Sequence, residues 1–427
     1  MFVPFVFNMS TFDEAPYLWW FYMGLDFAKR HHSAIIAQEI YCTTPPATFS
    51  AKGRKEAFDK AYVENWGYNL PQNRDLQIER IYSIPDQLLD KIVVDKGSIS
   101  DAFCYLLMQP DERLVDFFSE LIQKIETDCK EPIEAFITLL HLPSLSVAAE
   151  KNNIPVIHFE MGCWRGPKYL DTSFWDTENL LGGATVEKRW ERFCREQKER
   201  PFPVFSKKEC LALLLRKENL HYLKLFDRKP TKKMGVALGY VNYETFSCKT
   251  HLNDSEILYR VQKKYGLQNM LVRRHFGDPY GGQYPRYASA MEPQGRSTLE
   301  FIADCETVVS LVSGTGIEAM LLDRKAITLL PSPSYFVSGH EIEGEGLCAG
   351  EDFLSFFAFC YLIPWECLMN IDYMRWRLTN PTEREIYYKH IEFYFEKKQL
   401  PKELILQEAG NRLQGMLEAQ DYKMGKS

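Results

Sequence analysis

The chain has 427 residues, 45% hydrophobic and 26% charged, a composition of the soluble globular class and a length beyond one ordinary core. Lys and Arg number 51 against 58 Asp and Glu, and the net charge of −7 argues against a nucleic-acid binder held by phosphate contacts. The 11 cysteines show no CxxC and no paired framework, which argues against zinc and for a reducing, cytoplasmic setting.

In chain order, MFVPFVFNM reads as a first buried strand, too short for a bilayer span. APYLWWFYMGLDFAKRHHSAIIAQE reads as one long helix with a basic end. Lys29, Arg30, His31 and His32 at that end suit a solvated surface better than a membrane contact. SISDAFCYLLMQPDERLVDFFSELIQKIETDCK reads as helix, with Ser98 or Ser100 as its N-cap. EAFITLLH, LSVAAEKNN and IPVIHFE follow as strand, helix and strand, the alternation of a parallel sheet with crossovers. Residues 201–232 close a charged helical stretch and read as a linker.

A second series begins with the strand KMGVALGY. DSEILYRVQKKYG is an amphipathic helix ended by Gly266, NMLVRRH a strand, TLEFIADC a helix and TVVSLV a strand. GTGIEAMLLDR is the next helix and AITLLP the next strand. These elements predict an α/β fold: two Rossmann-like domains with parallel sheets facing across a cleft. The boundaries expected are 1–200, 233–380 and a helical tail over 381–427.

Four stretches carry candidate chemistry. Ser313-Gly314-Thr315-Gly316 joins a buried strand to a helix start, where small residues and free N–H groups suit a phosphate. An ordinary capped turn is the alternative, and no Walker A pattern is present. Arg273, Arg274 and His275 end a strand and suit an anion; His275 is also a candidate proton donor. In IHFEMGCWRG, Glu160 ends a strand, with Arg165 and Lys168 following. Glu160 suits a general base and the two cations suit a carboxylate, against the alternative of a structural Glu–Arg pair. ALGYVNYETF offers Asn242 and Glu244 at the exit of the second domain's first strand.

Taken together, three of these stretches resemble bacterial Kdo transferases of capsule and O-antigen assembly. HLPSLSVAAEKNNIPVIHFEMGCWRGPKY is similar to their segment ending in Glu-x-Gly-x-x-Arg, with Asn179 matching an asparagine that follows. VRRHF resembles their His-Pro strand end, and VVSLVSGTGIEAMLLDRKAITLL their serine loop with Gly-x-Glu-Ala. The resemblance spans about residues 135–335.

It implies a GT-B-like fold and a retaining β-Kdo transferase using CMP-β-Kdo and a glycan acceptor, with CMP as product. No cofactor or metal is implied, and no Asp-x-Asp signature occurs. Ser313, Gly314 and Thr315 would hold the CMP phosphate beside His275. Glu160 would stand at the acceptor or reaction centre, Glu318 at the ribose or the loop. Double displacement needs a carboxylate nucleophile. The family places an aspartate in the loop that here reads ALGYVNYETF. Three readings stay open: Asn242 replaces the nucleophile, Glu244 takes its place, or the register differs. Phe276 in place of proline and Ser313-Gly314 in place of a serine pair are further departures. Other classes considered are a transferase for another CMP-activated acid such as sialic acid, a non-catalytic glycan- or nucleotide-binding module, and a UDP-sugar epimerase. Peripheral inner-membrane contact or further glycosyltransferase domains would fit the family's setting.

Overall fold

The computed structural model describes residues 1–9, 15–43, 80–180, 182–239, 250, 252–275 and 284–423. The chain divides into two compact units. The first is Met1–Glu160 with Asp176–Asn179 and Asn242–Lys249; the second is Met161–Trp175, Leu180–Val241 and Thr250–Ser427.

In the first unit, β1 (Phe2–Val6), β2 (Ile35–Gln38), β3 (Ile81–Ile84), β4 (Ala135–Thr138) and β5 (Val156–Met161) lie in the order β5-β4-β1-β2-β3. All these pairs are parallel. Every residue of β1, β2 and β4 is buried, as expected for strands covered on both faces. The helix Ala15–His31 covers one face: Trp20 meets Phe159 edge-on at 4.5 Å and donates to the Phe5 carbonyl at 2.7 Å.

The sequence reading ran this helix through Ile35 and Ile36. Instead it stops at His31, and His32 turns with a positive φ of 52°. The β-branched pair then enters β2, where burial on both faces rewards it. The single helix expected from Ser98 is two, Ile99–Met108 and Glu112–Cys129, because Pro110 cannot continue the first. Ser98 is the N-cap, accepting from the Asp101 N–H at 3.0 Å.

In the second unit, β6 (Thr172–Asp176) pairs antiparallel with β11 (Ile363–Pro364). A four-stranded sheet holds β7 (Lys232–Ala237), β8 (Met270–Arg273), β9 (Cys305–Ser310) and β10 (Lys325–Thr328). Their order is β10-β9-β7-β8, all parallel. The chain steps from β7 to β8 on one side, then returns to β9 on the other. Strand order therefore reverses between β7 and β9. Open α/β sheets take their ligands outside the carboxyl ends at such a point. The first unit reverses likewise between β1 and β4. Two α/β units with doubly wound parallel sheets are the GT-B kind of fold.

The stretch 201–232, expected as a linker, contains the helix Lys207–Leu214 with Cys210 to Leu214 buried in the second unit's core. A buried apolar segment with a capping box at Ser206 is an integral part of a fold rather than a tether. The expected tail also joins that core. Tyr387, Ile391, Tyr394 and Phe395 of the helix Glu383–Lys398 are buried within it.

Candidate active site

The segment after β5 is fixed by its own main chain. The Gly162 N–H donates to the Thr172 carbonyl at 2.8 Å, and the Thr172 N–H to the Trp164 carbonyl at 3.0 Å. A Cβ at position 162 would stand 2.8 Å from the Thr172 carbonyl carbon, so only glycine allows this approach. Trp164 is fully buried and anchors the loop. Farther on, the Leu170 N–H donates to the Leu214 carbonyl and the Arg216 N–H to the Lys168 carbonyl, each at 2.8 Å. The Arg216 side chain donates to the Tyr169 carbonyl at 2.8 Å and meets the Asp171 carboxylate at 3.0 Å. Arg165, Lys168 and Tyr169 thus sit on a stiff loop of the second unit. Glu160 is exposed at the end of β5 in the first unit, and Asn179 is half-buried in the first unit's Asp176–Asn179 segment.

The turn after β9 lies at the carboxyl edge where the second sheet's order reverses. The Ser313 hydroxyl is 2.9 Å from that of Thr315 and accepts the Thr315 N–H at 3.2 Å. The Gly316 N–H donates to the Ser313 carbonyl at 3.1 Å. Two of the N–H groups expected for a phosphate are therefore engaged within the turn. Gly314 has a packing reason: a Cβ there would come within 3.0 Å of Cys163 Cβ and 3.1 Å of its Cα. The loop after β5 and the turn after β9 meet at this point.

Glu318 lies in the first turn of the helix Thr315–Leu321, buried to 7% exposure. It accepts a hydrogen bond from the Tyr169 hydroxyl at 2.8 Å. Burial pushes its carboxyl pKa up, opposed by that bond and by Lys168, Arg165 and Arg273. Lys168 is pushed down by burial and raised by Glu318. Its ammonium has no hydrogen-bond partner among the described residues. Arg273, expected as an available donor, is engaged by the Glu292 carboxylate and the Arg296 carbonyl. Arg274 is exposed and His275 half-buried just past β8. Asn242 and Glu244 lie outside the described residues. The structure therefore brings Arg165, Lys168, Arg273 and Glu318 into one electrostatic cluster beside Ser313–Gly316.

Sequence reading did not single out Tyr169 or Cys163. Neither could be found without the fold, because their partners lie about 150 residues away. It also missed a histidine pair in the first unit, with His141 Nδ1 3.1 Å from His158 Nε2. Burial, then His141, lowers His158 to about 3. No group of three or more His, Cys, Asp or Glu among the described residues is placed to hold a metal ion. No described helix is long and apolar enough to cross a membrane.

Comparison with known families places the amino-terminal part. Residues 2–185 match the model of the glycosyltransferase 99 family N-terminal domain. The matched stretch includes Glu160, Arg165, Lys168 and Asn179. No curated protein matches the chain. Among solved structures, the β-Kdo 2,7 transferase of Thermosulfurimonas dismutans KpsC is 14% identical. That match covers 58% of this chain and 81% of the other, at a TM-score of 0.35. The β-Kdo 2,4 transferase of the same protein is 12% identical, covering 60% and 92%, at 0.29. A UDP-GlcNAc 2-epimerase of Neisseria meningitidis, bound to UDP-GlcNAc, is 12% identical, covering 87% and 93%, at 0.30.

Proposed function

We propose that the chain is a retaining glycosyltransferase that moves Kdo from CMP-β-Kdo to a glycan acceptor of O-antigen or capsule. One observation carries the choice of an anionic sugar donor. Arg165, Lys168 and Arg273 gather around the buried Glu318 carboxylate, Arg273 being paired with Glu292 as well, beside the turn at the second sheet's switch point. Such a cluster of cations suits a donor bearing a sugar carboxylate and a phosphate. The match to a glycosyltransferase family model over residues 2–185 supports the reaction class.

The chemistry is a double displacement. A carboxylate attacks the anomeric carbon of Kdo, the bond to the phosphate oxygen breaks, and CMP leaves with the bonding pair. An acceptor hydroxyl then attacks the same carbon from the vacated face, displaces the carboxylate and gives its proton to a base. Glu160 is the proposed base. The hydroxyls of Ser313 and Thr315, with His275, stabilise the departing phosphate without a metal. Lys168 and Arg165 receive the Kdo carboxylate, and Asn179 lies on the acceptor's side. If Asn242 stands at the nucleophile's position, its amide cannot make this attack and Asn242→Asp would supply the carboxylate; Glu244 is the other candidate. The reaction is expected in the cytoplasm, at or near the inner membrane.

Intact mass after incubation with CMP-Kdo tests this, on the chain and on Asn242→Asp. A Kdo-sized adduct on Asn242→Asp alone identifies position 242. An adduct on the unchanged chain moves the nucleophile to Glu244 or elsewhere. No adduct on either, with no rise in melting temperature on adding CMP, overturns the reading. A rise with UDP in place of CMP would turn it toward a UDP-sugar enzyme, and one with CMP-sialic acid alone toward that donor.

A further inference from the structure

We infer that Glu318 is a positioning residue of the donor site, holding the Lys168 loop through Tyr169 and serving Lys168 as its counter-ion. This deepens the reading above and rests on it.

The geometry limits what Glu318 can do. One carboxylate oxygen takes the Tyr169 hydroxyl at 2.8 Å, and the residue is 7% exposed. A carboxylate so enclosed is poorly placed to reach a ribose. Its main chain is committed as well, the Glu318 N–H donating to the Gly314 carbonyl at 3.1 Å. On the other side, Tyr169 bridges to Leu215, and its carbonyl is held by Arg216. The hydrogen bond therefore ties a stiff loop to a stiff helix start. Lys168 is the neighbour of the tied residue, so fixing Tyr169 fixes the origin of the lysine side chain.

Charge gives the second part. The charged groups bearing on Lys168 are Glu318 on the Thr315–Leu321 helix, Arg273 on β8, Glu300 on the Thr298–Ala303 helix, and Glu292 after the Pro285–Ala290 turn. Burial and Arg273 disfavour its charged form, and Glu318 is the strongest group favouring it. Glu292 is already paired with Arg273. Without the Glu318 charge, an ammonium in this setting gives up its proton at lower pH. A neutral amine no longer attracts a donor carboxylate.

Glu318→Gln keeps an oxygen for the Tyr169 hydroxyl and removes the charge. Tyr169→Phe removes the bond and keeps the charge. Lys168→Arg keeps a cation that does not deprotonate in the accessible range. CMP-Kdo binding by the full chain and each variant is measured calorimetrically across alkaline pH.

The unchanged chain is expected to lose affinity as pH rises. In Glu318→Gln that loss is expected at lower pH than in the unchanged chain. Tyr169→Phe is expected to bind more weakly with the loss at its original pH. Lys168→Arg is expected to bind without the loss. A Glu318→Gln profile superimposable on the unchanged chain, or a persisting alkaline loss in Lys168→Arg, overturns the inference alone. No CMP-Kdo binding by the unchanged chain overturns the donor reading, and the inference with it.

Discussion

At position 314 there is no room for a side chain. Cys163 approaches to 3.0 Å of where a Cβ would stand. Gly314→Val should therefore destabilise the chain by about 1–3 kcal/mol, the usual cost of overpacking. Chemical denaturation checks this, and an unchanged midpoint would refute the packing argument. The sequence reading noticed the same glycine as a mark of phosphate approach. Composition cannot separate the two reasons, because both ask for a residue without a Cβ. Gly162 is a similar case, since its neighbour Thr172 is known only from the fold. A second residue-scale expectation concerns acid. His158 falls from 6.5 to about 3 in the folded chain, so between those values the unfolded chain holds the extra proton. Its contribution to stability is complete above about pH 6.5 and is lost as pH falls toward 3. His158→Gln should flatten the melting temperature between pH 6.5 and 4 relative to the unchanged chain. A parallel decline in both would show that other groups govern the acid limb.

Elements were legible where one local rule dominated. The strands β4, β5, β7, β8, β9 and β10 overlap the apolar runs expected, with bounds off by a few residues, because burial on both faces favours continuous hydrophobicity. The failures lie where tertiary burial overrode local preference. Ile35 and Ile36 follow a helical pattern but gain more as buried strand residues. One helix start was read from its cap, at Ser98, and Ser297 caps another helix in the same way. Ser297 accepts the Glu300 N–H at 3.1 Å, and the Glu300 carboxylate accepts the Ser297 N–H at 2.9 Å. Ser297→Ala should cost about 1 kcal/mol, a typical N-cap loss, and Ser297→Asp should restore most of it. Equal midpoints for Ala and Asp would argue that the cap adds nothing in this short helix. The site was partly legible for the same reason. Arg165, Lys168 and the Ser313 turn belong to strand ends, which sequence locates. Their shared counter-charge, Glu318 with Tyr169, arises from a contact between distant segments.

For the whole molecule, the carboxyl-terminal helix is part of the second unit's framework. Arg412 is buried against Glu209, with Nε to Oε1 at 2.8 Å, and its guanidinium carbon lies 3.9 Å from the centre of the Phe205 ring. It also donates to the Ile405 and Val204 carbonyls. Arg412→Ala would leave Glu209 as a buried, unpaired charge, at a cost of about 3–5 kcal/mol. Arg412→Met with Glu209→Leu should recover much of that loss. A double variant no more stable than Arg412→Ala alone would refute the buried-charge account. Fold class was visible in the strand–helix alternation, and the resemblance to bacterial Kdo transferases is met by the family match over residues 2–185. The unit boundary was not visible, because the chain leaves the first unit after Glu160, comes back at Asp176 and departs again after Asn179. That interleaving bears on inheritance. A single crossover between genes would divide both units at once, so neither half could be exchanged for a relative's as an intact module. Pairings of donor and acceptor specificity in such a chain would have to arise by point substitution inside a shared frame.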